Sequence, residues 1–434
     1  MTVPVPEGSM GRPLRHRDFR LLWIGQTAGK LGSSVTGLAL PLAAIALDAS
    51  TFQVTLLSAA PWLPWLLIGL PAGAWVDRLP RRPVMLACDL TSLLLLTSVP
   101  AAAWLHHLTF PHLLAVALGS GCAGVVFQTA YQVYLPSLLA PGDLAAGNAR
   151  IQAGEAAAQV GGPGVAGLVA RVAGAVNALV VDAASFLISA VCVLAIRTRE
   201  PPVDRRRRGG TLRREIGDGL RFVARDPYLR VLTLFSAASN IALFGYQSIL
   251  VPFLVREVGA SPGTVGLLVS ATSLGGLLGA ASATAPARRF GSARTLLAAE
   301  IGAAPFGLLI PLTTAGPGLA LAVAGGFAVG AGAAVGNVLK GTFRQAYTPR
   351  ALLGRVTVTM QLVSYGTIPL GALLGGALAT AVGVRPAMWI TTGALAASGL
   401  VLLPGPLTRH RDLPSGAVHH REAAPAEPPA GAYG

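Results

Sequence analysis

The sequence predicts an all-α membrane protein, with twelve transmembrane helices in two pseudo-symmetric six-helix bundles and both termini in the cytoplasm. Three observations predict it. Of 434 residues, 53% are hydrophobic and only 12% charged, with a mean hydropathy of +0.62; a soluble domain carries about 25% charged residues on its wetted surface. Twelve stretches are long and apolar enough to cross a hydrocarbon core of about 30 Å, which takes about 20 helical residues. Finally, 29 of the 33 lysines and arginines fall on one side of those stretches, the bias that keeps basic loops in the cytoplasm. Composition thus excludes a water-soluble enzyme, a disordered chain and a disulfide-framed secreted domain. The 53 glycines and 32 prolines suit membrane helices, which tolerate both.

The expected spans run 20–46, 54–76, 83–104, 113–136, 150–170 and 175–196, then 230–255, 263–285, 295–313, 318–340, 356–382 and 387–405. Residues 171–174 and 383–386 are tight turns, so spans 5/6 and 11/12 form hairpins. A cytoplasmic segment, 1–19, precedes the N-terminal bundle, 20–196. Its arginines are followed by an apolar stretch too long for a signal peptide, so span 1 is expected to stay. A linker, 197–229, leads to the C-terminal bundle, 230–405, and 406–434 form a cytoplasmic tail without fixed structure. The minority side holds only Arg171, Arg256 and Arg385.

The net charge of +15 would suit a nucleic-acid binder, but its densest run, Arg205 to Arg208, has no interleaved aromatics and sits in the longest loop. Anionic lipid headgroups explain it more simply, and nucleic acid is not an expected partner. After that run Leu212, Ile216, Leu220 and Val223 share one helical face, which predicts an amphipathic helix at the membrane surface. Cys88, Cys122 and Cys192 all fall within spans as small apolar residues. Neither they nor His106, His107 and His112 complete a metal set, and no metal or cofactor is expected.

The halves repeat. Arg20-Leu-Leu opens span 1 and Arg230-Val-Leu opens span 7, an offset of 210. Asp77-Arg78 and Arg288-Arg289 follow spans 2 and 8, offset by 211, as are Asp89 and Glu300 within spans 3 and 9. Pro163 to Gly167 in span 5 answers Pro369 to Gly375 in span 11. Such a parallel duplication is a transporter architecture. Gly-x-x-x-Gly spacings at Gly275/Gly279, Gly326/Gly330, Gly332/Gly336 and Gly371/Gly375 let helices approach closely in lipid.

Between spans 2 and 3 stands Gly73-Ala-Trp-Val-Asp77-Arg78-Leu-Pro-Arg81-Arg82, which resembles the signature loop of the major facilitator superfamily. The opening Phe19-Arg20-Leu-Leu-Trp23, with Gly25-Gln26, Leu31-Gly32 and Ala39-Leu40-Pro41, is similar to the macrolide-efflux-like branch of drug:proton antiporters, which includes siderophore exporters. Pro136, Asn148-Ala149 and Gly354-Arg355-Val356 are similar as well. Gly162-Pro163-Gly164 with Gly167 resembles part of the antiporter motif of span 5, its last glycine shifted. The resemblance implies a cytoplasmic latch built from Gly73, Asp77, Arg78, Arg81 and Arg82, broken when the protein opens inward. In the C-terminal copy Arg288 takes the Asp position and Thr284 the Gly position, so the latch is asymmetric, with its acidic member in the N-terminal half. Asp89 and Glu300, shallow and near the basic loops, are expected to bridge arginines of that gate.

An ionisable side chain inside a span is a functional hypothesis by default. Lys30 lies near the middle of span 1, and the depths of Glu155 and Asp182 bring both near its level. Glu155 or Asp182 is the expected carrier of a coupling proton, with Lys30 as counter-charge or substrate contact. The plainer alternatives are that Glu155 pairs with Arg150 and that Asp182 satisfies Asn177 or backbone groups. Gln26, Gln128, Tyr131, Asn240, Tyr246, Gln247, Gln361 and Tyr365 are candidates to line a substrate cavity. No phosphate-binding loop, serine elbow or metal pair is present, so an ATP-driven pump and an enzyme are not expected. These features together predict a monomeric, multi-pass cell-membrane exporter of an amphipathic small molecule (a drug, macrolide-like antibiotic, siderophore or secreted metabolite), exchanging it for protons. An importer or facilitator of the same fold without proton coupling is the alternative.

Overall fold

The computed structural model describes residues 16–76, 79–139, 142–198 and 212–414, and among them every regular element is helical. The N-terminal half comprises α1 (Arg17–Ala46), α2 (Thr51–Ala59), α3 (Leu63–Val76), α4 (Arg81–Trp104), α5 (Phe110–Tyr134), α6 (Leu144–Ala173) and α7 (Ala175–Ala195). Then come α8 (Leu212–Arg225), α9 (Pro227–Pro252), α10 (Pro262–Ser282), α11 (Thr284–Phe290), α12 (Ser292–Ala303), α13 (Leu319–Tyr347), α14 (Arg350–Val382) and α15 (Val384–Ser398). Asp77, Arg78, the Arg205–Arg208 run, residues 1–15 and the tail from 415 lie outside the described residues; contrary to expectation the start of that tail is ordered, since Pro406–Arg409 form a 3-10 turn and Leu407 is buried in a core.

All twelve predicted spans fall on helix, but nine helices among the described residues are long and apolar enough to cross a membrane. Spans 5, 9 and 12 fall outside that set. Helix α6 carries Arg150, Glu155 and Arg171, while α12 and α15 run only 12 and 15 residues before tightening into 3-10 turns. Span 2 is also not one helix. Pro61 lacks an amide hydrogen, and the chain passes through a 3-10 turn over Ala60–Trp62 between α2 and α3.

The internal repeat reaches the helix ends. Ser50 caps α2, accepting from the Gln53 amide at 3.3 Å, and Ser261 caps α10, accepting from the Thr264 amide at 3.3 Å. Hairpin α6–α7 turns on a single residue, Gly174 (φ +90°), and α14–α15 on Gly383 (φ +93°). Both are left-handed conformations that favour glycine.

Close helix packing uses the predicted glycines. A Cβ on Gly279 would lie 2.7 Å from Ala331 Cα, on Gly371 2.9 Å from Ile241 Cα, and on Gly332 2.6 Å from Ala299 O. Without glycine these helices could not approach so closely, and contact of this kind holds helices together in lipid. Leu94, Leu187, Leu234 and Leu278 point outward, exposed, as a hydrocarbon surround requires.

Three apolar cores define the shape. One is shared: Val35, Leu57 and Ala166 of the N-terminal half pack in one cluster with Ala242, Ile249 and Val265 of the C-terminal half. The other two are separate. Phe19, Leu22, Met85, Tyr134 and Ile196 cluster within the N-terminal half, and Tyr228, Phe235, Phe343, Tyr347 and Leu407 within the other. These separate cores lie at the arginine-rich end, here called the basic end; the shared core lies at the far end. The two halves therefore join at the far end and part toward the basic end. Val223 places α8 in the C-terminal basic-end core, so the amphipathic helix packs on α9 and α14.

Asp226 anchors that junction. Fully buried, it accepts from the amides of Tyr228 (3.0 Å) and Leu229 (2.9 Å) and from the Tyr347 hydroxyl (2.7 Å). Asp226→Ala removes an N-cap and the carboxylate that accepts from the Tyr347 hydroxyl, and should cost about 2 kcal/mol of stability, read as a lower melting temperature in detergent.

Candidate functional site

Between the two halves lies a cavity of about 750 Å³. One wall is polar and comes from α1, α4, α5, α6 and α7: Gln26, Lys30, Asp89, Gln128, Gln132, Glu155, Asp182 and Ser189. The opposite wall is aromatic. Trp62 stands 6.0 Å from Phe244 and 6.0 Å from Tyr365, and Trp65 stands 5.2 Å from Tyr365, centroid to centroid. The break at Pro61 aims both tryptophans here. Those tryptophans were missing from the sequence candidates; the run Pro61-Trp-Leu-Pro-Trp65, with two prolines in a span, was the available signal.

Lys30 Nζ and Glu155 Oε1 form an ion pair at 3.0 Å across α1 and α6, with both side chains partly open to the cavity. The close passage of α6 over α1 that permits it depends on Gly154, where a Cβ would lie 2.5 Å from Thr27 Oγ1. Glu155 thus pairs with Lys30, and the Arg150 carbonyl accepts from Trp23 Nε1 at 3.1 Å. Because cavity water screens it, the pair is worth far less than a dry-interior contact. Protonating Glu155 would remove the attraction and release Lys30.

Asp182 is buried and held by hydroxyls. Thr36 Oγ1 donates to it at 2.5 Å and Ser185 Oγ at 3.0 Å. Asn177 is not its partner, since its amide donates to Ala173 O at 2.7 Å. Gly32 leaves the space on α1 that this cluster occupies. Asp89 departs from the gate expectation. It is buried, accepts from Ser189 Oγ at 2.8 Å and lines the cavity, because α4 packs on α7 and turns that face inward. Its repeat partner Glu300 does form an ion pair, with Lys340 at 2.8 Å, but between α12 and α13 within one half.

Two basic-end arginines, Arg82 and Arg411, donate to carbonyls of their own halves. Arg82 donates to the carbonyls of Val193 (3.0 Å) and Leu194 (2.7 Å) at the end of α7, satisfying acceptors that a helix terminus leaves open. Arg288 and Arg289 lie on α11, and Arg289 O accepts from Arg411 at 3.2 Å. Arg81 starts α4, and Gly73 lies in α3.

Of the eight cavity candidates, Gln26, Gln128, Gln247 and Tyr365 line it. Four do not. Tyr131 and Tyr246 are buried in helix packing, Asn240 donates to Ser364 O at 3.3 Å, and Gln361 is exposed elsewhere. Gly162, Pro163 and Gly167 serve contacts of α6. A Cβ on Gly162 would press on Ser34 of α1; one on Gly167 would lie 2.7 Å from Pro262 O, across the seam between halves. Cys88 and Cys192 are buried as expected, whereas Cys122 is exposed on α5.

A family model described as a transmembrane secretion effector matches residues 9–427, nearly the whole chain. The chain belongs to the major facilitator superfamily. It is similar to the multidrug efflux pump Tap of Mycolicibacterium fortuitum, 30% identical over 407 residues covering 91% of this chain and 97% of that protein. Tap of Mycobacterium tuberculosis (strain ATCC 25618 / H37Rv) is 27% identical, covering 88% and 92%. Among solved structures, a bacterial homologue of the human lysosomal transporter Spinster, inward-facing and unoccupied, superposes with a TM-score of 0.70 at 17% identity, covering 92% of this chain and 98% of that one. A bacterial homologue of the iron transporter ferroportin, inward-facing, gives 0.72 at 16% identity, covering 89% and 98%. Membership makes this chain a multi-pass cell-membrane transporter whose fold encloses the cavity just described.

Proposed function

We propose that this major facilitator protein exports amphipathic small molecules, drugs among them, by alternating access in exchange for protons. The observation that carries the reading is the pairing of one shared core at the far end with two separate cores at the basic end. A bundle joined this way can rock about a central site, closing one mouth as the other opens. In the reading, twelve spans cross the membrane, both termini and the basic end face the cytoplasm, and the monomer presents its cavity inward. The two-sided lining suits the cargo: an apolar body stacks on Trp62, Trp65 and Tyr365 while polar groups meet the opposite wall. Kinship with Tap supports drugs as substrates.

The Lys30–Glu155 pair is the proposed coupling device, with Asp182 the second carboxylate in the wall. A proton entering from outside neutralises Glu155, and its departure to the cytoplasm restores the pair. Flux of a fluorescent amphipathic dye in proteoliposomes tests the reading. An inward-directed proton gradient should accelerate dye export several-fold; dye flux indifferent to the gradient would leave a facilitator. Trp65→Ala should raise the half-saturating dye concentration about tenfold, since a lost aromatic contact is worth about 1.4 kcal/mol.

A further inference from the structure

Three arginines break the charge bias by standing at the far end: Arg171, Arg256 and Arg385. Each has a place there. Arg385 donates to the carbonyls of Pro311 (2.8 Å) and Thr313 (3.3 Å) within its own half. Arg171 lies against Gly263, where a Cβ would meet its Cδ at 3.1 Å. Arg256 crosses the seam. Beyond Pro252 the last turn of α9 widens into a π-turn, Phe253–Glu257, which carries the guanidinium to the α1–α2 turn of the other half. There Nη1 donates to Thr51 Oγ1 at 3.1 Å and Nη2 to Ala49 O.

We propose that Arg256 is the far-end clasp of the transport cycle, a positioning residue whose two hydrogen bonds hold the halves together while the cavity faces the basic end. This rests on the alternating-access reading. Both acceptors belong to one half and the donor to the other, so both bonds break when the far end opens. Among the described residues Arg256 makes both of its side-chain hydrogen bonds to the other half, so opening the far end costs it both. Ala49 lies in the turn between α1 and α2, just after Asp48 at φ +55°, and its carbonyl accepts from Arg256 across the seam. A bond between a charged donor and neutral acceptors is about twice as strong as a neutral one.

The test reads far-end opening directly. Thr55, buried at the seam against Gly376, is replaced with cysteine in a chain whose three cysteines (Cys88, Cys122 and Cys192) are changed to alanine. An impermeant maleimide is applied to intact cells and, separately, to inside-out vesicles. Adding Arg256→Ala should raise the labelling rate roughly fivefold, as loss of about 1 kcal/mol from the closed state does, from whichever side the far end faces. Thr51→Val, in the other half, should give a smaller rise. The double variant should equal Arg256→Ala plus little more, because the two changes remove a shared contact. Unchanged labelling in Arg256→Ala, or full additivity with Thr51→Val, would overturn the clasp. A rise seen only from the cytoplasmic side would retain the clasp and overturn the proposed orientation.

Discussion

Glu155→Gln is expected to lower proton-driven export tenfold or more while leaving the protein folded in the membrane. Glutamine keeps the shape and hydrogen-bonding reach of the side chain but holds no charge, so nothing at that position can load a proton or release Lys30. Each factor of ten in rate corresponds to about 1.4 kcal/mol, and uncoupling removes the whole driving force of the gradient. The sign follows from the geometry. On the proposed mechanism a proton taken up by Glu155 breaks the 3.0 Å pair with Lys30, so export should rise with an inward-directed proton gradient; in Glu155→Gln the dependence on the gradient should vanish. A lone Lys30 facing the cavity could depress transport for structural reasons only. Glu155→Gln combined with Lys30→Gln removes that charge. If the double variant regains gradient-dependent export, Glu155 pairs without coupling, and Asp182 becomes the carrier to examine by Asp182→Asn.

Gly167→Val is expected to abolish export without lowering the amount of protein. On Gly167 a Cβ would lie 2.7 Å from Pro262 O and 2.8 Å from Gly266 Cα. Both neighbours are backbone, so no rotamer change relieves the clash, and α6 must move away from α10. That contact joins two halves that each have a core of their own at the basic end, so the halves still fold and only far-end closure fails. The cavity then no longer opens to the basic end. Gly279→Val supplies the contrast. Its Cβ would lie 2.7 Å from Ala331 Cα inside the C-terminal half, where overpacking costs about 1–3 kcal/mol of the fold itself. Membrane levels, melting temperature and dye efflux distinguish the cases. Equal loss of folded protein in both variants, with normal efflux per molecule in Gly167→Val, would rule out a gating role for that seam.

Much of the architecture is legible in the chain alone. A membrane imposes one-dimensional rules of apolar length and basic-loop side, so span positions and the charge bias can be read without knowing which helices touch. The repeat is equally local, and the capping serines Ser50 and Ser261 and the turn glycines Gly174 and Gly383 extend it. The sequence alone also singled out Lys30, Glu155 and Asp182, because few charges lie within spans.

Only the tertiary structure decided what those groups meet. Depth along a helix is a sequence property, but azimuth relative to a neighbour depends on how helices cross. Depth could not separate Arg150 from Lys30 as the partner of Glu155, nor place Asp89 beside Ser189 instead of the basic loops. The same limit governs the cavity list. Tyr131 and Gln128 lie three residues apart on α5, yet one packs in a core and the other faces the cavity. The aromatic wall joins α3 and the turn before it to α9 and α14, elements far apart in the chain. Arg256, an exception to the charge bias in the sequence, acquires a role only when the other half brings Ala49 and Thr51 within hydrogen-bonding distance.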